Sequence, residues 1–261
     1  MIMTVFMKNK IVSVVTVVYN AEKEIERTLE SVKSQTFQDK EYIIVDGGST
    51  DGTLNIVDKY KSYVDVLVSE RDNGIYDAMN KGALLAHGDW IVYMNAGDAF
   101  ASESVLQEIF SSGQDYSDVD VIYGDMLSCY TAAPLVIKPK PLPMLKYRMI
   151  FCHQSSYIRT ELMRNNPFDL RFRYVADFDL FHKLYLAGKN FYYLPMIMTN
   201  YYPDGGFTNK HILSVMREEN MISGLKDIKW FRHLVYTYFS YCLNSILPTT
   251  ILNKLRRMFK S

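Results

Sequence analysis

The chain has 261 residues, enough for one large domain or two small ones around a well-buried core. Hydrophobic residues make up 48% and charged residues 22%, which excludes a mainly disordered chain. Lys and Arg number 29, as do Asp and Glu, so the basic excess typical of a duplex binder is missing and we expect no nucleic-acid partner.

The cysteines and the amino terminus indicate the compartment. Three widely spaced cysteines (Cys129, Cys152 and Cys242) fit neither a disulfide framework nor a zinc cluster, and they suit a reducing environment. The apolar segment 1–7 is too short for a secretory signal. We therefore expect a cytoplasmic protein. Twenty tyrosines favour a surface or cleft that stacks on flat rings or sugars.

The first hundred residues alternate β-branched apolar runs with amphipathic segments. Strands are predicted at 11–18, 41–45, 64–68 and 90–94. Helices are predicted at 21–34, from the end of the loop 46–52 through 60, and over the segment that carries Ile75 to Leu85. Asn20 is expected to cap the first helix. This order predicts an α/β fold with a parallel sheet, helices on both faces, and binding loops at the carboxyl ends of the strands.

The rest of the chain is less regular. A strand is predicted at 119–123, a proline-rich loop or edge connection follows, and a helix from Asp177 to Ala187 ends at Gly188. Residues 234–253 carry no charge, and a basic segment, 254–260, follows them. This pattern favours a helix in the membrane interface, with a helix docked on the domain as the alternative.

Polar groups stand where the predicted strands end. The segment from Thr16 to Asn20 has two interpretations. It is a binding loop with free backbone N–H groups and a stacking face on Tyr19, or it is an ordinary strand–helix turn capped by Asn20. Asp46 precedes two glycines, although the dinucleotide fingerprint G-x-G-x-x-G is not matched. Asp98, closing the segment 95–98, is placed to hold a divalent cation beside a diphosphate, or else forms a turn.

Two further sites follow later in the chain. Asp177 and Asp179 begin a helix two residues apart, so one of them is expected to face a cleft while the other acts as a cap or dipole partner. His153 and Gln154 fit a phosphate or sugar contact, and a satisfied core histidine is an equal alternative.

Five ordered motifs carry a family resemblance. T-V-V-Y-N, V-D-G-G-S-T-D-G-T, E-R-D-N-G-I-Y-D-A-M-N-K-G, Y-M-N-A-G-D and A-D-F-D-L together resemble bacterial family 2 glycosyltransferases with the GT-A fold. The resemblance covers roughly residues 9–210. It implies a catalytic domain at 1–215, with a donor half at about 9–100 and an acceptor half at about 101–215, and a helical tail at 216–261.

The resemblance also implies an activity. Such enzymes move a sugar from a nucleotide diphosphate sugar, here expected to be a UDP-sugar, to an acceptor hydroxyl with inversion and with Mg or Mn. The hexosyl or N-acetylhexosaminyl transfer would serve surface polysaccharide synthesis, onto a glycan or polyprenyl-linked acceptor at the inner membrane face. A sugar nucleotidyltransferase and a non-catalytic nucleotide-sugar-binding scaffold remain as alternatives.

The resemblance assigns residues to these roles. Asp177 matches the catalytic carboxylate and Asp98 the metal ligand, although Asn95 and Gly97 depart from the acidic metal motif of the family. The residues expected to bind the donor are Thr16, Val18, Tyr19, Asn20, Asp46, Arg71, Gly74, Asn80, Asn95 and Ala96.

Overall fold

The computed structural model describes residues 10–129, 134–202 and 211–224. The strands are β1 (Val12–Val18), β2 (Lys40–Asp46), β3 (Val66–Ser69), β4 (Trp90–Tyr93), β5 (Ala99–Phe100), β6 (Val121–Ser128), β7 (Leu135–Ile137), β8 (Ser156–Arg159) and β9 (Phe191–Tyr201). The α-helices are α1 (Ile25–Lys33), α2 (Thr53–Lys59), α3 (Ile75–Leu85), α4 (Val105–Phe110), α5 (Thr160–Asn165), α6 (Ala176–Leu186) and α7 (Ile212–Ser223).

One sheet runs through the described chain in the order β3-β2-β1-β4-β8-β6-β9-β5, with β7 paired to β6. β1 pairs in parallel with β2 and β4, and β2 pairs in parallel with β3. The parallel arrangement predicted for the first hundred residues is therefore confirmed. Beyond β4 the sheet is mixed, because β8 runs antiparallel to both β4 and β6.

Helices cover both faces of the sheet, as predicted. Every residue of β1 is buried, which is the pattern of a strand covered on both sides. Val15 and Val17 point to the core shared with α3 and α6, whereas Val14 and Val18 point to the core shared with α1 and α4. The core thus lies in two layers, and the carboxyl ends of the parallel strands are left free to carry loops.

The first helix begins later than the sequence predicts. α1 starts at Ile25, and Asn20 makes no cap. Instead Asn20 has a left-handed backbone with φ of 47°. Its N–H donates to Ser49 Oγ, and its Oδ1 accepts the N–H of Thr50, both at 2.8 Å. The side chain therefore joins the loop after β1 to the loop after β2, a role that depends on a partner thirty residues away.

The predicted domain boundary at residue 215 falls inside α7. The carboxylate of Glu218 accepts the backbone N–H groups of Arg173 at 3.0 Å and Tyr174 at 2.9 Å. α7 is therefore packed on the segment before α6, and the same folded unit extends at least to Ser223. The aromatic and basic tail from residue 225 lies outside the described residues. No helix within the described ranges has the length and apolar character needed to span a membrane.

The contact between α3 and β1 generates a test of this packing. A Cβ on Gly82 would meet Val15 Cγ1 at 2.5 Å, so α3 can approach β1 only with glycine at this position. We expect Gly82→Val to lower the free energy of unfolding in urea by about 1–3 kcal/mol, the usual cost of overpacking. Leu84→Val, on the exposed face of the same helix, is the control. Equal effects of the two substitutions would contradict this packing.

Candidate active site

Loops at the carboxyl ends of β1, β2 and β4 meet at one edge of the sheet. The N–H of Gly47 donates to Val18 O at 2.9 Å, and the N–H of Ala96 donates to Val17 O at 3.3 Å. These bonds continue the sheet into the loops and hold the three strand ends side by side. The segments that the sequence analysis selected as donor loops are thereby brought together.

Asp46 shapes the loop after β2. It is fully buried, and its carboxylate accepts the N–H groups of Gly48 and Ser49 and the hydroxyl of Ser69, the last at 2.6 Å. Gly48 has φ of 83°, a conformation that favours glycine. The visible role of Asp46 is to fold this turn, and its contact with a nucleotide stays a prediction.

The four donor residues predicted around the end of β1 differ in exposure. Thr16 is fully buried and donates to Met94 O at 2.8 Å, so its contacts are structural, and Val18 is also buried. Tyr19 is 62% exposed, which leaves its ring accessible for the predicted stacking on a base. Asn20 joins the two loops as described above. Among these four, Tyr19 presents its side chain to solvent at the loop edge.

The segment before and within α3 contributes unequally. Arg71 is exposed and packs beside Gly48, and Gly74 begins α3 with φ of 114°. Asn80, in contrast, donates to Phe168 O at 2.9 Å and accepts the N–H of Phe168 at 2.8 Å. These two bonds place Asn80 between α3 and the loop that precedes α6, rather than at a diphosphate.

Asp98 lies in the loop after β4 and is only 7% exposed. Its Oδ2 accepts a hydrogen bond from Gln154 Nε2 at 2.6 Å, and the N–H of Tyr202 also donates to the carboxylate. Burial raises the pKa of Asp98 to about 6, although the hydrogen bonds from Gln154 and from the N–H of Tyr202 act in the opposite direction. The hydrogen bonds to Asp98 therefore do not fully offset the cost of burying its negative charge.

Asp177 occupies the first turn of α6, and its side chain is 17% exposed. Tyr76 Oη donates to Oδ1 at 3.0 Å, and His153 Nδ1 lies 3.5 Å from Oδ2. Burial alone would raise the pKa of Asp177, but His153, Tyr76 and the N–H of Phe178 outweigh it, so this pKa lies below its ordinary value. Burial and the charge of Asp177 raise the pKa of Tyr76 well above its usual range, which keeps this hydroxyl protonated.

The other acid of the pair points elsewhere. Asp179 is 5% exposed and accepts a hydrogen bond from Lys183 Nζ at 2.5 Å, one helical turn away. The two acids therefore point in different directions, as predicted, and Asp179 pairs with Lys183 rather than capping the helix.

A short 3-10 turn, His153–Ser155, connects the two halves of the site. His153 Nε2 lies 3.1 Å from Asn95 Nδ2, so the imidazole spans from the loop after β4 to Asp177. Burial raises the pKa of Cys152 to about 12, so its thiol stays protonated and donates to Gln154 Oε1. The sequence left two predictions for His153 and Gln154, a phosphate or sugar contact and a satisfied core histidine. The structure shows both side chains in contact with carboxylates.

α7 adds residues that the sequence analysis missed. Besides the contacts of Glu218, burial raises the pKa of Glu219, the negative charge of Asp177 adds to this shift, and Arg148 opposes it. Glu219 and Arg148 therefore lie within electrostatic reach of the Asp177 cleft. The sequence signal for these residues is weak, because Glu218 and Glu219 are two adjacent acids in a segment predicted to be a helical tail.

The arrangement provides two carboxylates in different environments. Asp177 is accessible and ionised, and it can accept a proton from a bound hydroxyl. Asp98 is buried in a strand-end loop beside Asn95, whose Oδ1 has no hydrogen-bond partner within the described ranges. Such a pair suits a group transfer in which one site activates a nucleophile and the other faces the departing group.

Comparisons with known proteins identify the family of this chain. The family model described as glycosyl transferase family 2 matches residues 13–158. A PGL/p-HBAD biosynthesis glycosyltransferase of Mycobacterium tuberculosis is 29% identical over 205 residues, covering 76% of this chain and 78% of the relative. Glycosyltransferase GlyG of Streptococcus pneumoniae is 32% identical over 120 residues, covering 45% of this chain and 39% of the relative.

Solved structures share the fold. TarS 1-349 of S. aureus in complex with UDP-GlcNAc superimposes with a TM-score of 0.62 at 21% identity, covering 74% of this chain. The match spans 58% of that TarS chain, less than two thirds of its length. Mannosyltransferase PcManGT from Pyrobaculum calidifontis, in complex with GDP-Man and Mn²⁺, gives a TM-score of 0.61 at 18% identity, covering 95% of this chain and 79% of the other. The predicted GT-A fold is confirmed.

The raised pKa of Asp98 predicts a cost in stability. Because the folded-state pKa of about 6 exceeds the ordinary value of 3.8, ionisation destabilises the folded state by roughly 3 kcal/mol above pH 6. This penalty is absent below the ordinary pKa, grows as the pH rises from the ordinary to the folded-state value, and is complete above it. We expect Asp98→Asn, in EDTA, to raise the free energy of unfolding by about 1–3 kcal/mol near neutral pH, and by less in acid.

The matched control is Asp58→Asn, because the Asp58 side chain is 72% exposed. Urea unfolding at about pH 7.5 and about pH 4.5 measures both variants. A gain for Asp98→Asn that does not change between the two pH values would show that the buried charge is not its source.

Proposed function

The chain belongs to glycosyl transferase family 2 and is a glycosyltransferase, and we propose that it transfers a sugar from a nucleotide diphosphate sugar to an acceptor hydroxyl with inversion. The observation that carries the proposal is the accessible Asp177 carboxylate, set between Tyr76 and His153 opposite the strand-end loops. The solved neighbours contain UDP-GlcNAc, UDP or GDP-Man, which supports a nucleotide-sugar donor. We take a UDP-sugar as the donor to test first.

The reaction follows from one accessible carboxylate. Asp177 accepts the proton of the acceptor hydroxyl while the oxygen forms a bond to the anomeric carbon. The bond from that carbon to the diphosphate breaks, and its electron pair leaves with the nucleoside diphosphate. A double displacement would need a second carboxylate as nucleophile. Asp98 does not suit that role, since it is buried and held by Gln154.

The donor is proposed to lie over the loops after β1, β2 and β4. Tyr19 exposes its ring for stacking on the base, and Arg71 is exposed beside the turn that Asp46 organises. Gly74 begins α3 at the same edge, and the positive end of the helix dipole there favours an anionic diphosphate. Ala96 continues the loop after β4 and is partly exposed.

A divalent cation is part of the proposal. The neighbour PcManGT is described with Mn²⁺, and the residues of this chain fit a hard cation, because Asn95 Oδ1 is without a partner in the described part and Asp98 stands in the same loop. Within the described residues there is no cluster of three acidic, His or Cys side chains, so donor phosphates would complete the coordination. The cation would neutralise charge on the departing diphosphate. Diphosphate binding in Mn²⁺ and in EDTA tests this assignment.

We propose a cytoplasmic location at the inner membrane face, with a glycan or polyprenyl-linked acceptor. The proposal rests on the sequence of the tail, in which aromatic and apolar residues precede Lys254, Arg256, Arg257 and Lys260. That segment lies outside the described residues, so its support is the sequence pattern alone.

Replacing the proposed base tests the activity. We expect Asp177→Asn to lower turnover by roughly 10²–10⁴-fold, the range for a lost general base, with donor affinity nearly unchanged. Release of nucleoside diphosphate from a panel of donors, with and without Mn²⁺, measures turnover, and calorimetry measures donor binding.

Asp179→Asn is the matched control, because this acid stands in the same helical turn and pairs with Lys183 instead of facing the cleft. Turnover of Asp177→Asn within a few-fold of the unmodified protein would remove Asp177 from the role. Release of pyrophosphate would favour a nucleotidyltransferase, and binding without turnover on any acceptor would favour a scaffold.

Deleting residues 226–261 tests the location while keeping α7 intact. The deletion should release the protein from anionic vesicles, since each basic residue near such a surface contributes on the order of 1 kcal/mol. Nucleotide binding should be spared, and high salt should weaken vesicle binding of the full chain. Co-sedimentation measures the effect, and a truncated protein that still pellets with vesicles would show that the tail is not the anchor.

A further inference from the structure

Two consecutive side chains of the turn His153–Ser155 each hold one carboxylate of the active site. His153 Nδ1 lies 3.5 Å from Asp177 Oδ2, and Gln154 Nε2 donates to Asp98 Oδ2 at 2.6 Å. We propose that His153 is the positioning residue for the base and Gln154 the positioning residue for the cation-binding carboxylate. This inference rests on the proposed function, because it assumes those roles for Asp177 and Asp98.

The contacts of His153 determine where its proton lies. Asn95 Nδ2 is 3.1 Å from His153 Nε2, and an amide nitrogen can only donate, so Nε2 is the acceptor. The proton of the neutral ring is therefore on Nδ1, directed at Asp177. Asn95 thus has a function where the family motif has an acid: it sets the imidazole so that an N–H, rather than a lone pair, meets the carboxylate.

The orientation of Gln154 is determined in the same way. The protonated thiol of Cys152 donates to Gln154 Oε1, which turns the amide nitrogen toward Asp98. Gln154 is 6% exposed, so its amide is shielded from solvent. The reverse orientation would set the amide oxygen against the Asp98 carboxylate and the amide nitrogen against the thiol of Cys152. With the N–H of Gln154 on Oδ2 and the N–H of Tyr202 also on the carboxylate, Asp98 is held in one orientation, in which it would meet a cation.

The turn itself is fixed before any ligand binds. Ser155 is fully buried, and its Oγ contacts Asp125 O at 3.2 Å and Thr199 Oγ1 at 2.6 Å. Ser156 Oγ donates to His153 O at 2.6 Å. β6 and β9 therefore hold the turn from beneath, and His153 and Gln154 extend from a rigid support.

Two amide substitutions separate the contacts of His153. Asn places its amide nitrogen near the position of Nδ1, facing Asp177, whereas Gln places it near Nε2, facing Asn95. We expect His153→Gln to lower kcat by more than tenfold and by several-fold more than His153→Asn, with KM for the donor within about twofold. Both variants replace the ring by an amide, and thermal unfolding gives the folded fraction used to normalise kcat.

Gln154→Met, which keeps the volume and removes the donor, tests the second half. Removing a group that orients a metal ligand typically costs 10–100-fold in metal affinity, so calorimetry should show Mn²⁺-dependent binding of nucleoside diphosphate weakened by at least tenfold. Binding in EDTA should not change. Cys152→Ser keeps a hydroxyl donor to Gln154 Oε1 and should bind as the unmodified protein does.

Asp177→Asn and Asp98→Ala, measured in parallel, separate this inference from the proposed function. If those two variants keep full turnover and full Mn²⁺-dependent binding, the proposed function fails and this inference fails with it. The positioning roles alone are overturned in two cases, provided that Asp177→Asn loses turnover and Asp98→Ala loses Mn²⁺-dependent binding. In the first, His153→Gln and His153→Asn have equal kcat. In the second, Gln154→Met binds nucleoside diphosphate as the unmodified protein does. Equal losses of kcat and of diphosphate binding in every turn variant would show a purely structural turn.

Discussion

The central constraint in this structure is the partial withdrawal from water of two carboxylates, Asp98 and Asp177, that both contact the turn His153–Ser155. An unpaired buried carboxylate is costly, so the surrounding donors decide what each can do. Asp177 receives the Tyr76 hydroxyl, His153 and the start of a helix, and its pKa falls below its ordinary value. Asp98 receives less, and burial raises its pKa to about 6. Two environments that push pKa values apart give two carboxylates with different tasks.

The topology of the sheet makes this possible. β8 runs antiparallel to β4, with Ile158 opposite Ile91 and Arg159 opposite Trp90. The residues that precede β8 therefore lie beside the residues that follow β4. A parallel β8 would have placed the turn His153–Ser155 at the other edge of the sheet, far from Asn95 and Asp98. The reversal of strand direction between β4 and β8 thus brings residues from the second half of the chain to the loops after β1, β2 and β4.

The sequence predicted the strand ends well because burial on both faces leaves dense β-branched runs such as 12–18, and loops at such ends are where parallel sheets bind ligands. It failed where a side chain depends on a distant partner. Asn20 is a good cap by residue type, yet it bonds to the loop after β2. Ile75 shares the helical period of the buried Ala78 and Met79, yet it is 42% exposed, while Tyr76 is buried and its hydroxyl reaches the segment before α6. Periodicity cannot show such contacts.

The segment before α6 also explains why α7 belongs to the catalytic unit. Tyr174 is held from one side by its carbonyl, which accepts the Tyr76 hydroxyl at 3.1 Å, and from the other by its N–H, which donates to Glu218. Asp177 follows three residues later, in the first turn of the helix. The carboxylate is therefore positioned by α3, by the turn before β8 and by α7, three segments far apart in the chain. The carboxylate can take its place only when all three have packed, which couples the geometry of the site to the folding of the whole domain.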